Sequence, residues 1–255
     1  MSTFKQRAIT STFITAFFVI IFLLGSKVTT VATSIIMVGI LLELKSVFNQ
    51  NGIRPYIYYM IATVVLSFIN SIYYFTSISF GAILLILMMA HFIFDSSENK
   101  IENIMSSAFI YIYILVLGNS FYQYNPENRD IFMMICLITV GADVCAYLGG
   151  SLLGKHKLMP KISPNKTIEG AIFGLLGGVL LPTLGCLIFK FKIDLRMICI
   201  FFVCAIAAEI GDLFASAIKR ALNVKDFSNL LPGHGGLLDR FDSLIFVIFV
   251  FGVFF

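Results

Sequence analysis

The chain has no tryptophan, and charged residues fill only 13% of its 255 positions. No long basic run is interleaved with aromatics, which excludes the usual footprint of a nucleic-acid-binding domain. The net charge of +4 is mild and suits loops that face anionic lipid or phosphate. Cysteine is sparse as well. Cys136, Cys145, Cys186, Cys199 and Cys204 lie in apolar stretches without a C-x-x-C pair, so they read as small buried hydrophobes and not as a zinc or disulfide framework. No linker rich in Pro, Gly or Ser divides the chain, and no internal repeat appears. A single domain, 1–255, is expected, with spans of mainly structural role over 1–130 and the site over 131–255. The first apolar stretch is not followed by a small-residue cleavage site, so it is expected to stay as a helix.

What the chain has instead is hydrocarbon. Hydrophobic residues make up 59%, and with glycine the apolar share is about two-thirds, against roughly 45–50% in a soluble domain. The apolar runs last for bilayer lengths of roughly 20 residues and show no period of two, so they are helices and not barrel strands. Nine spans are predicted, near 9–25, 28–44, 56–75, 78–94, 104–122, 131–150, 168–189, 196–218 and 241–255. The first two form a tight hairpin at Ser26 and Lys27. The expected fold is an all-α, polytopic membrane bundle. In the absence of tryptophan, Tyr56, Tyr58, Tyr59, Tyr73 and Tyr74 supply the interfacial belt of the third span. This parse puts thirteen of the eighteen Lys and Arg on the N-terminal side, and the positive-inside rule then makes the N-terminus cytoplasmic.

Three acids fall well inside these spans, away from their ends: Asp143, Glu209 and Asp212. An ionised carboxylate at a helix centre costs at least about 2.5–3.5 kcal/mol, so each needs a partner or a wet cavity. Glu209 and Asp212 are three apart and share a helix face, and Ser216 follows four further on. A protonated acid bonding between helices is the plain alternative for any one of them. Three acids beside two basic loops point to a cation site. Those loops, 151–167 and 219–240, fall on the same side of the parse.

In the second loop, Gly233, Gly235 and Gly236 surround His234 and let backbone amides approach a phosphate. Asp239 and Asp242 are spaced to share a helical face. With Asp212 they could hold Mg²⁺, an ion that takes carboxylates together with substrate phosphate oxygens. In the first loop, Ser163 followed by Pro164 predicts a helix start whose free amides and nearby Lys166 suit an anion. Gly170, Gly174 and Gly178 recur every four residues, a stripe suited to close helix packing.

The stretch Ser216 to Asp242 carries S-x-x-K-R, K-D and L-P-x-H-G-G-x-x-D-R-x-D, and it closely resembles the signature of the phosphatidate cytidylyltransferase family. Asp143-x-x-Ala146-Tyr147, Gly154-Lys155-His156-Lys157, Ser163-Pro164-Asn165-Lys166-Thr167-x-Glu169-Gly170 and the early Lys5-Gln6-Arg7 are similar to it too. Ile168 departs from the aromatic residue expected there. The resemblance is sharp over 143–242 and compositional elsewhere.

The resemblance implies the reaction CTP + phosphatidic acid → CDP-diacylglycerol + pyrophosphate, at the cytoplasmic side of the cell inner membrane. It implies Asp212 and Asp239 as lead metal ligands, with Asp143 and Asp242 in support. Lys166, Lys219, Arg220 and Arg240 would grip phosphates, and His234 would donate a hydrogen bond. Ser163, Ser216, Lys225, Asp226, Gly235 and Gly236 complete the expected substrate-binding set. It further implies Mg²⁺, K⁺ as a second cation, and a homodimer. Two alternatives stand beside it: a CTP-dependent lipid kinase of the polyprenol or dolichol type, and a secondary transporter whose acids line an ion path.

Overall fold

A computed structural model describes residues 25–73, 77–116, 129–231, 233 and 235–254. The predicted span 9–25, all but its last residue, and the sites Pro232 and His234 lie outside the described residues. Within the described residues, each of the other eight predicted spans falls largely on helix. The helices are α1 (Ser26–Gln50), α2 (Ile57–Tyr73), α3 (Ser77–Phe94), α4 (Lys100–Ile110, followed by a π-helical turn Tyr111–Val116), α5 (Arg129–Leu153), α6 (Ile168–Ile188), α7 (Leu195–Ala221) and α8 (Leu238–Phe254). Among the described residues, α1, α5, α6 and α7 contain stretches long and apolar enough to cross a membrane, with mean hydropathy between 1.9 and 2.2. The rest are shorter apolar helices or pieces. The fold is that of a helical membrane protein.

The all-α expectation needs one addition. Lys157–Met159 (β1) and Ser163–Thr167 (β2) form an antiparallel hairpin, with Lys157 opposite Thr167 and Met159 opposite Ser163. The helix predicted to begin at Ser163–Pro164 therefore begins later, at Ile168. Its cap is Thr167, which sits in extended backbone while its hydroxyl oxygen accepts from the Gly170 amide at 3.1 Å. The physical reason is local. Proline's fixed φ suits an extended strand as well as a helix's first turn, and β1 supplies the pairing that the strand needs.

The chain forms two compact units. One comprises Met1–Glu127 and Val224–Asp239, the other Asn128–Asn223 and Arg240–Phe255.

In the first unit, α1 packs on α2 and α2 on α3. Ile40, Leu41, Leu44, Ile57, Met60 and Met88 are fully buried there. The turn after α1 is fastened to α4 by polar bonds. The Arg54 amide donates to Asn103 Oδ1 at 2.7 Å and the Tyr56 amide to Ser107 Oγ at 2.7 Å. The Tyr56 hydroxyl donates to Asp95 Oδ2 at 2.5 Å. That bond and those from Ser97 hold the Asp95 carboxyl below the usual carboxylate range.

In the second unit, α5 and α6 pack along their lengths and α7 lies against both. Glycine explains the closeness. A Cβ on Gly141 would lie 2.5 Å from the Gly177 carbonyl oxygen, and one on Gly177 would lie 2.4 Å from Cys145 Sγ. Gly170, Gly174 and Gly178 are buried against Ala146, Gly150, Ala142 and Ala205, so the stripe serves packing as expected. On the opposite side of α6, Ile172, Leu176, Leu180, Leu184 and Ile188 are exposed at the same four-residue spacing. A helix apolar all round, with small residues inward and branched residues outward, suits a lipid-facing span.

Candidate active site

The second unit gathers most of the predicted charged residues around one lysine. Lys166 stands in β2, one residue before the α6 cap, and β2 lies against α7. Its Nζ is 2.8 Å from Glu209 Oε2 and 2.9 Å from Asp212 Oδ2. Both acids sit on one face of α7, as their spacing predicts. Burial works against the Lys166 charge, but the Asp212 and Glu209 carboxylates outweigh it and hold the ammonium above its usual range. Asp212 Oδ1 lies 3.5 Å from the Ser216 hydroxyl one turn on, at the long limit of a hydrogen bond.

Around this pair stand the other acids. Asp143 of α5 is within electrostatic reach of Asp212, Glu209, Lys166 and Arg240. Asp242 of α8 is within reach of Asp212, Asp143 and Lys219. Asp242 is buried at 9% exposure, and its Oδ1 accepts from the Ser243 amide at 2.8 Å. Gly211 lets α8 come close to α7, for a Cβ there would meet the Asp242 carbonyl oxygen at 2.7 Å. Lys219 and Arg220 occupy the last turn of α7, where the helix dipole favours cations. Lys219 is buried, whereas the exposed Arg220 donates from Nε to the Ile162 carbonyl at 3.3 Å and ties the end of α7 to the hairpin. Ser163 is half-buried at the start of β2.

The hairpin has its own clamp. Glu169, in the first turn of α6, accepts from the Lys155 amide at 3.1 Å and the His156 amide at 3.2 Å, and its Oε1 meets His156 Nδ1 at 2.6 Å.

In the first unit, the described residues of 224–237 form a tight loop that leads into α8. The Leu231 amide donates to the Gly235 carbonyl at 2.9 Å, and Gly233 and Gly235 take φ of 79° and 81°, the left-handed region that favours glycine. Asp239 organises this loop: its Oδ2 accepts from the Phe227 and Gly236 amides, each at 2.9 Å. A Cβ on Gly235 would lie 2.8 Å from Asp239 Oδ2 and 3.4 Å from Asp226 Oδ1. Lys225 and Asp226 are exposed.

Glu209, read from the sequence as one of three acids of a cation site, and Glu43 both stand outside the residue set that the resemblance implied. Glu209 is half of the Lys166 pair, and its spacing from Asp212 was the available signal. Glu43 of α1 is buried and bonded into the 224–237 loop. An acid at the end of an otherwise apolar run was its only signal.

Among the described residues, no three His, Cys, Asp or Glu side chains form a group that could hold a metal ion by themselves. The donor set fits a different kind of site. The acids around Asp212 already take one cation, the Lys166 ammonium, and Mg²⁺ binds through one or two carboxylates with substrate phosphates completing its shell.

These features define a helical membrane protein with a charged site in which acids and cations alternate around a short basic hairpin. A model of the cytidylyltransferase family matches residues 5–255, and the chain belongs to that family. It is 38% identical over 156 residues to the phosphatidate cytidylyltransferase of Staphylococcus saprophyticus. It is 39% identical over 160 residues to that of Staphylococcus epidermidis strain RP62A, and 38% over 156 residues to that of Staphylococcus aureus strain COL. Each match covers 60% of this chain and 60% of the relative's length.

Proposed function

We propose that this chain is a phosphatidate cytidylyltransferase, converting CTP and phosphatidic acid to CDP-diacylglycerol and pyrophosphate. The observation that carries the reading is the lysine bridging Glu209 and Asp212, in a chain whose relatives bear that name. An oxygen of the lipid phosphate attacks the α-phosphorus of CTP. A new P–O–P bond forms, and the bond from the α-phosphorus to the bridging oxygen of pyrophosphate breaks. Anionic groups crowd one phosphorus, so the protein's task is to neutralise and position them.

Lys166, Lys219, Arg220 and Arg240 supply cations, the guanidinium groups being suited to bidentate contact with phosphate. Asp212, with Asp143 and Asp242 in reach, would hold Mg²⁺, which supplies positive charge to the triphosphate when bound. Asp239 shapes the 226–236 loop, whose glycines let amides approach a phosphate, with Ser163, Ser216, Lys225 and Asp226 as further contacts. K⁺ as a second cation and a homodimer belong to the same reading.

The test is a label-transfer assay with purified protein, Mg²⁺, phosphatidate and CTP labelled in turn at the α- and γ-phosphorus. The α-label is expected in the lipid and the γ-label in pyrophosphate. Transfer of the γ-label to lipid would make the protein a lipid kinase instead.

The reading places the N-terminus and the site on the cytoplasmic side of the inner membrane, with nine spans in all. A single cysteine introduced at Ser163 should then react with an impermeant maleimide in inverted vesicles and not in intact cells. Labelling in intact cells would overturn that orientation.

A further inference from the structure

Glu43 is an acid with 7% exposure near the end of a long apolar helix, and among the described residues no Lys, Arg or His pairs with it. Its compensation comes from neutral donors, all on one loop. The Ser228 hydroxyl donates to Oε1 at 2.6 Å, the Leu237 amide to Oε1 at 2.8 Å and the Leu238 amide to Oε2 at 3.0 Å. Leu237 and Leu238 stand at the start of α8, whose first amides have no partner within their own helix. The carboxylate of α1 therefore caps α8 from outside and meets the positive end of its dipole.

The fit is steric as well. A Cβ on Gly236 would lie 2.7 Å from both Glu43 oxygens. One turn before Glu43, on the same face of α1, a Cβ on Gly39 would lie 2.5 Å from Leu237 Cδ1. Gly39 and Glu43 thus make a socket: the notch takes the Leu237 side chain, and the acid takes the amides beside it. Asp239 binds the loop from within and Glu43 binds it from α1. Together they engage the amides of Phe227, Gly236, Leu237 and Leu238.

We infer that Glu43 is a positioning residue for the glycine loop 226–238, and that α1 takes part in the reaction through it. The inference rests on the cytidylyltransferase reading for its activity arm. Glutamine at position 43 keeps the shape, but it turns an NH₂ group toward backbone or hydroxyl donors and leaves one of them unpaired. Glu43→Gln is expected to lower kcat/KM for CTP roughly 10–100-fold, the range seen when supporting hydrogen bonds of a site are removed. Hydrogen exchange should speed up at the Gly236–Leu238 amides and stay unchanged in α5 and α6.

A purely structural role would lower the melting temperature and the folded yield but leave the turnover of the folded fraction at the wild-type value, and that result would overturn the inference. So would unchanged exchange at Leu237 and Leu238. If Glu43→Gln does not fold, Ser228→Ala removes one donor to the same carboxylate and carries the test, with a smaller fall in kcat/KM and faster exchange in the same segment. The wild-type control separates the two readings. Wild type that does not turn over CTP refutes the proposed activity, while exchange still reports on the socket.

Discussion

Asp212→Asn should cut CTP-dependent turnover by at least about a hundredfold, the scale of losing one preorganised electrostatic contact to the reacting centre. Its carboxylate touches Lys166 through Oδ2 and reaches Ser216 through Oδ1, and at 34% side-chain exposure it is the most open member of the Lys166–Glu209–Asp212 group. An amide keeps the shape and the Ser216 contact but cannot supply the negative charge that a hard cation needs. Folding should survive. Lys166 keeps Glu209 at 2.8 Å, and the substitution relieves the repulsion that Asp212 exerts on Asp143 and Asp242. The ion pair lost is partly exposed and screened, so stability should change by no more than about 1 kcal/mol. The Mg²⁺ concentration for half-maximal rate should rise as turnover falls. Near-normal turnover by well-folded Asp212→Asn, with an unchanged Mg²⁺ titration, would remove Asp212 from the site.

How far the sequence foretold this arrangement depended on how local each signal was. The apolar runs marked the helices because a bilayer-length stretch admits little else. The four-residue glycine stripe of α6 marked its packing face, for Gly170, Gly174 and Gly178 are buried against Ala142, Ala146, Gly150 and Ala205. The i, i+3 spacing of Glu209 and Asp212 put both on one side of α7, where a single ammonium meets them. The start of α6 was misread because Ser163–Pro164 satisfies a local cap rule, whereas pairing with Lys157–Met159 decides the backbone there. The correct cap, Thr167, lies four residues on. Glu43 carried no readable signal for its role. Its donors at Ser228, Leu237 and Leu238 are 185 to 195 positions away, and no spacing rule spans that distance. Lys166 was legible as a cation near a helix start, but the identity of its partners required the strand that carries it to lie against α7.

Lys166→Met should abolish most activity and destabilise the protein, and a second substitution can separate these two effects. One ammonium serves two carboxylates, Glu209 Oε2 at 2.8 Å and Asp212 Oδ2 at 2.9 Å, with side-chain exposures of 12% and 34%. Removing it leaves both acids without their cation in a partly dry place. Breaking a fully buried pair costs about 3–5 kcal/mol, and partial exposure here reduces the expected loss to roughly 1–3 kcal/mol. Turnover should fall by about 10²–10³-fold, because in the proposed reaction the ammonium's remaining N–H would be the group offered to a phosphate oxygen. Glu209→Gln in the Lys166→Met background removes the more buried of the two stranded charges. Melting temperature in detergent should then recover part of the loss, a coupling of about 0.5–3 kcal/mol between residues in contact. Activity should not recover, since neutralising an acid restores no positive charge for the triphosphate. If the double variant regains wild-type turnover along with its stability, Lys166 serves only as a counter-ion for Glu209 and Asp212, and the phosphate contact assigned to it is wrong.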